Sequence, residues 1–466
     1  MADRMVRIQK ITIENFKNVA YGTVGFENKR KGVRASILGM YGQNGSGKTA
    51  LIDAIKLLKF ALCGKPVPQK YADYIKVDEE YATLKYEFVV RFAQINYRVW
   101  YQFCMRKTED DSSTEENDTS ETVVKVELFD EVLSFSYESK EDKMRKTPLI
   151  DTRGDELFSP KAKLVELVGE KKDDYVDLLV TKRLTRVTST SFIFSRELMN
   201  QYRKNCTNKH YMEPLEALYR YGHRELFVID TESVGLISLN KLPLVFKYKN
   251  EYSEAVGGVL LSLNEPALVP EDAYGIVENV IKNMNIVLEQ LVPGLRIGIV
   301  DLGSAMTKEG KVAKQIQLVS LKNKKAIPFC YESEGIKKIV SILQLWIVVY
   351  NNPTVTVAVD ELDGGVFEYL LGQMLNIISE KGRGQLIFTS HNLRPLETID
   401  KGFIAFTTTN PKMRYIRFTN VRGTNNLRDF YYRDIVLGEQ SEQVYEPTNN
   451  FEIALAFREA GEGLGS

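Results

Sequence analysis

The octapeptide Gly42-Gln43-Asn44-Gly45-Ser46-Gly47-Lys48-Thr49 constrains this chain most. A short apolar run, Ser36 to Tyr41, leads into it, and an apolar-periodic stretch, Thr49 to Leu62, leads out. The spacing therefore predicts a strand, a glycine-rich turn and a helix, the setting in which G-x-x-x-x-G-K-[ST] holds a phosphate chain. Glycines let successive backbone N–H groups point at an anion, and the start of the helix adds the positive end of its dipole. On this reading Gly42, Gln43, Asn44, Gly45, Ser46 and Gly47 form the cradle. Lys48 reaches the β- and γ-phosphates, and the Thr49 hydroxyl is a ligand for Mg²⁺.

A fold that presents such a loop also supplies groups from neighbouring strand ends. The apolar run Val355 to Val359 ends in Asp360-Glu361. Asp360 there is placed to hold Mg²⁺, and Glu361 to polarise the water that attacks the γ-phosphate. The run Gln385 to Thr389 ends in Ser390-His391, where an imidazole can hydrogen-bond the γ-phosphate or that water. The other histidines, His210 and His223, read as surface residues. Ser333-Glu334-Gly335 opens a helix from Glu334 to Tyr350, a second N-terminus suited to an anion. One subunit does not easily bring two such termini to one nucleotide, whereas two subunits facing head to tail do.

Strand patterns cover Val6 to Ile13, Leu84 to Phe92, Ile95 to Met105, Val123 to Phe129 and Val132 to Tyr137, and read as antiparallel. The polar tract Thr108 to Ser120 reads as a flexible loop. Helices are expected at Lys161 to Val168, Glu213 to Tyr221 and Tyr274 to Leu291. Strands Leu295 to Val300 and Lys314 to Leu321 follow, then alternating helices and apolar strands: a parallel sheet covered on both faces.

Lysine plus arginine and aspartate plus glutamate both total 62, which argues against a wholesale nucleic-acid coat. A local basic groove using Lys182, Arg183, Arg186, Arg203 and Lys204 stays open, as does their reading as a solvated face. The longest apolar run, Ile339 to Tyr350, falls short of the roughly 20 residues of a bilayer span, and the first residues lack the apolar core of a secretory signal. A cytoplasmic protein without membrane contact is expected. The four cysteines contain no C-x-x-C, so no zinc site or disulfide framework is indicated.

The order of phosphate loop, S-x-G, apolar-strand-D-E and strand-S-H resembles the ABC-type ATPase heads of the SMC and RecF class. Ile11-Thr12-Ile13-Glu14-Asn15-Phe16-Lys17-Asn18 resembles their N-terminal strand and N-F-K turn. The resemblance implies an α/β P-loop NTPase head of ABC type with a mixed sheet, an antiparallel β lobe and an inserted, mainly helical region. Its implied parts are a first lobe over 1–140, the insert over 141–290, a second lobe over 291–410 and a C-terminal extension over 411–466.

It further implies an ATP- and Mg²⁺-dependent ATPase that dimerises around two ATP molecules. Lys48 and Thr49 would bind phosphate and Mg²⁺, Asp360 would hold Mg²⁺, and Glu361 would be the catalytic base. Ser333 and Gly335 would touch the partner's γ-phosphate, His391 would be the switch histidine, and Asp363 would lie in the loop linking the two sites. The signature reads S-E-G-I where the class has S-G-G-[QE]. Gln102, or the segment Thr190 to Ser195, is a candidate for the group that couples the two lobes.

The compact insert in place of long arms is similar to ATPases of bacterial anti-phage defence, including the OLD family and the PARIS and Septu ATPase subunits. After His391 no D-x-D follows a strand, so no Toprim nuclease is expected. A nuclease or toxin effector would then act in trans. DNA clamping by a repair ATPase and a non-hydrolysing ATP-dependent scaffold remain alternatives. Asn425 to Tyr432 is either a docking surface or packed against the head.

Overall fold

A computed structural model describes residues 4–27, 36–109, 124–140, 142–233, 241–249, 254–263, 265–306, 310, 312–322, 325–419 and 426–462. Residues 110–120 of the tract read as a flexible loop lie outside them. The strands of the first half are β1 (Met5–Phe16), β2 (Val19–Gly25), β3 (Ser36–Tyr41), β4 (Tyr81–Phe92), β5 (Ile95–Glu109), β6 (Val124–Glu138), β7 (Lys143–Asp151) and β8 (Leu226–Ile229). They continue as β9 (Lys241–Lys249), β10 (Glu254–Ser262), β11 (Ala267–Pro270), β12 (Arg296–Met306), β13 (Val312–Lys322), β14 (Lys325–Pro328), β15 (Thr356–Val359), β16 (Gln385–Thr389), β17 (Ile404–Thr407) and β18 (Tyr415–Ile416).

The central sheet has the order β18-β17-β3-β16-β15-β8, parallel throughout except for the edge strand β18. Its strands are apolar on both faces because both faces are covered. Leu38, Met40, Ala358, Ile387 and Ala405 join one core, while Ile37, Tyr41, Val357, Val359, Leu386 and Phe388 join the other. The fold class is therefore α/β, with a mixed central sheet and a separate antiparallel sheet, β2-β1-β4-β5-β6-β7. Helix α1 (Lys48–Leu62) lies between the two sheets; the Tyr86 hydroxyl of β4 donates to its Ala54 carbonyl (2.7 Å).

Three readings change. The pattern read as two strands, Val123 to Phe129 and Val132 to Tyr137, is the single strand β6. Asp130, at φ 52°, makes a bulge instead of a turn: Gln102 pairs with Val132 and Cys104 with Phe129. The bulge turns Glu131 inward, where it accepts hydrogen bonds from Tyr101 and from the Phe192 amide. Second, the mainly helical region from 141 to 290 also carries strands that the sequence did not suggest. β7 extends the antiparallel sheet past residue 140, β8 is an edge strand of the central sheet, and β9 and β10 form a hairpin. Its helices Lys161–Val168, Lys172–Val187, Arg196–Asn205 and Lys209–Arg220 bury Leu164, Leu178, Leu198 and Leu215 in the core of the antiparallel sheet. Third, His210 and His223 are half-buried: His210 stacks on Tyr137 with ring centres 4.0 Å apart, and His223 bonds the Tyr219 carbonyl.

On the other side of the central sheet stand helices Glu271–Leu291, Glu334–Asn351 and Glu368–Lys381 and the strands β11 to β14. Asn425 lies outside the described residues. Helix Leu427–Leu437, capped by Asn426, packs on the head by burying Phe430 and Tyr431, the latter ring 4.9 Å from Phe406. Among the described residues no helix is long and apolar enough to cross a membrane.

Candidate functional site

β3 delivers the chain to the glycine-rich loop at its carboxyl end. Gly42, at φ 149°, lies against Thr407 of β17; a Cβ there would sit 1.8 Å from Thr407 Oγ1. Gly45 and Gly47 take left-handed φ values of 74° and 97°. Gly47 caps α1 with no side chain on the free N–H groups, and the first turn contains no acidic residue, so the positive end of the helix is left for an outside anion. The Ser46 hydroxyl bonds Gln43 O and Thr407 Oγ1. Lys48 is 6% exposed and folds its Nζ onto the carbonyls of Gly42 (2.8 Å) and Gln43 (2.9 Å). Burial pushes this ammonium down to about 8 against the opposing pull of Asp360, Asp363 and Glu361.

More distant residues brace the loop. Asn18 Nδ2 donates to Gly45 O, Tyr415 OH donates to Gly47 O (2.9 Å), and the Glu446 amide donates to Gln43 Oε1 (2.9 Å). The Arg414 guanidinium ties Asn18 O to Thr408 O. None of these contacts has a signal in the local sequence.

Across the cleft, β15 and β16 end side by side, and Thr389 organises both ends. Its hydroxyl donates to Asp360 Oδ1 (2.5 Å) and accepts from the Glu361 amide (2.8 Å). Thr231, just beyond β8, donates to Asp360 Oδ2 (2.5 Å). Asp360 is 1% exposed, and each oxygen keeps a lone pair for a cation or its water. Glu361 stands at φ 47°, where side-chain-bearing residues are rarely found, and its carbonyl accepts from the Gly364 amide (3.1 Å). Asp363 Oδ2 accepts from the amides of His391 (3.0 Å) and Asn392 (2.9 Å), which fixes the backbone beneath the imidazole. Burial, and then Lys48, lower the basicity of His391, so its neutral form is favoured at pH 7.

A cleft of about 300 Å³ brings these parts together. It is lined by Asn44 to Ala50 on one side, by Asp360, Glu361, Thr389 and His391 on the other, and by Lys17 and Asn18 at its rim. Lys17 of the N-F-K turn, paired with Asp53 and lying 3.9 Å over the Tyr74 ring, was given no place at the site by the motif reading. The donor set fits a triphosphate with a divalent cation: a helix start with no side chain on its free N–H groups, a lysine, a threonine hydroxyl and a buried aspartate.

Ser333 and Gly335 do not line this cleft. Ser333 is exposed and caps helix Glu334–Asn351, its hydroxyl accepting from the Ile336 amide (3.4 Å). Gly335 abuts the loop after β15; a Cβ on it would lie 2.2 Å from Gly365 O. Gln102 is also absent from the cleft and faces a separate polar hollow on the antiparallel sheet. Thr190 to Ser195 is mostly buried, with the Phe192 amide bound to Glu131.

Residues 10–223 match the family described as an AAA domain. Among solved structures, the chain is similar to the Smc head domain with an extended coiled coil from Pyrococcus furiosus, at 14% identity over 89% of this chain and 97% of that chain, TM-score 0.36. It is similar to the SMC head domain from Thermotoga maritima at 14% identity over 89% and 99%, TM-score 0.33. For the recombination mediator protein RecF the figures are 13% identity, 89% and 98%, and TM-score 0.36. No curated protein matches the chain.

Proposed function

We propose that this chain is an ATPase of the SMC and RecF type whose catalytic site is completed by a second copy facing it head to tail. One observation carries the reading: the Lys48 loop, the Asp360-Glu361 strand end and His391 meet in a single cleft. The start of α1 and Lys48 bind the phosphate chain, Lys48 exchanging the carbonyls of Gly42 and Gln43 for phosphate oxygens. Thr49 and Asp360 would hold Mg²⁺, which when bound draws charge from the phosphate oxygens. Glu361, held at its strained backbone angle, orients the attacking water and takes its proton, and His391 steadies the terminal phosphate by donating a ring N–H.

The exposed Ser333 terminus supports the shared site, because it lies away from its own cleft and is free to meet a partner's. Ser333→Arg is expected to lower ATP turnover by about 100-fold, the scale of losing one aimed donor, while ATP affinity of the isolated chain stays near wild type. Equilibrium binding and phosphate release check this. Full turnover by the variant would exclude the shared site.

The reading extends to a nucleotide-driven switch that controls a nuclease or toxin in trans, in the manner of the defence ATPases. The compact insert supports it, since the four helices after β7 pack on the head instead of extending into arms. An effector encoded beside this gene is expected to bind the ATP-loaded and empty forms with different affinities, measured by pull-down with and without nucleotide. Equal capture would remove this extension. Direct DNA clamping by the insert gains little support from its basic residues. Lys182 Nζ is spent on the carbonyls of Thr152, Gly154 and Glu156, while Arg186, Arg203 and Lys204 face Glu127, Glu216 and Asp174.

A further inference from the structure

Lys338 is 2% exposed, and its Nζ meets no hydrogen-bond partner among the described residues. A buried ammonium is costly unless an opposite charge stands close by. Three residues earlier, Gly335 is pressed onto Gly365 so closely that no side chain fits between them. Positions three apart share a helix face, so Lys338 faces the same loop, 361–365, from the next turn. Across from it Asp363 Oδ1 is buried and also lacks a partner, although Oδ2 is held by the amides of His391 and Asn392. A buried cation and a buried carboxylate oxygen, each unsatisfied, thus stand on two elements already in contact. Glu361, Asp363 and Asp360 all favour the charged lysine, against the burial that pushes it down to about 8.

We propose that Lys338 is a positioning residue whose ammonium closes on Asp363 and ties the loop bearing Glu361 to the helix that begins at Ser333. Contact of that helix terminus with a partner's phosphate and alignment of Glu361 with the water then become one rigid-body event. The proposal rests on the shared-site ATPase reading for its effect on turnover, but the closing of the ammonium onto Asp363 requires no nucleotide.

Two measurements on the full chain test it. Lys338→Met, matched in length and uncharged, is expected to leave the ATP dissociation constant within about threefold and to lower kcat by about 100-fold, the cost of a misplaced catalytic group. Lys338→Arg is expected to restore most of that turnover, which a purely volume-filling role would not produce. The second measurement is thermal unfolding without nucleotide of Lys338→Met, Asp363→Asn and the double variant; asparagine keeps an oxygen for the two amides. Each single change is expected to lower Tm, and the double variant to lose no more than the worse single. Additive losses would overturn the clamp whether or not the protein hydrolyses ATP. Wild-type kcat in Lys338→Met, beside an inactive Glu361→Gln control, would overturn its role in turnover. An inactive wild type with non-additive melts would instead remove the ATPase reading and keep the clamp.

Discussion

Glu361→Gln is expected to bind ATP as wild type does, to lower turnover by about 100- to 10,000-fold, and to accumulate as an ATP-bound dimer. Glutamine keeps the size of the side chain and the amide bond to Thr389 Oγ1, so the strained backbone at φ 47° persists. What is lost is the carboxylate that accepts the water's proton. The neighbouring Asp360, still held by Thr389 and Thr231, keeps its place in the cleft. Single-turnover phosphate release, together with the mass in solution at saturating ATP, checks both halves. Turnover equal to wild type would remove Glu361 as the base, and if wild type itself released no phosphate, the non-hydrolysing scaffold would be the better description.

Lys48→Ala is expected to abolish nucleotide binding at concentrations that saturate the wild type, an affinity loss of at least about 100-fold. A charge-assisted hydrogen bond contributes about 1.5–3 kcal/mol, and Lys48 would supply more than one to the phosphates. In the nucleotide-free chain the same ammonium neutralises the carbonyl-lined loop and lies within the field of Asp360, Asp363 and Glu361. Removing it leaves three carboxylates facing an incoming anion. Titration calorimetry measures the loss, and an unchanged far-ultraviolet spectrum separates it from misfolding. Binding within tenfold of wild type would show that the triphosphate is held elsewhere.

The parts of the site that the sequence made legible are those whose neighbours in space are also neighbours in the chain. The loop and α1 follow β3 directly, and Asp360 and His391 each sit at the end of an apolar strand of ordinary pattern. The central parallel sheet followed from the same strands. β8 was invisible because it has only four residues and takes its place by pairing with β15, far along the chain. Thr389 and Thr231 were hidden for a different reason: a threonine at a strand end is ordinary until the carboxylate it serves is seen beside it. The division of β6 failed because an acidic pair, Asp130-Glu131, between two apolar runs signals a turn as readily as a bulge, and only the pairing with β5 decides which.

The strand that delivers the phosphate loop, β3, lies between β16 and β17, and the loop itself is braced by Thr407, Tyr415 and the Glu446 backbone. A ribosome therefore emits the loop early and its walls last. The cleft that Asn44 to Ala50 share with Asp360, Glu361, Thr389 and His391 is complete only after most of the chain has left the exit tunnel, and a product cut short before β15 lacks the facing wall.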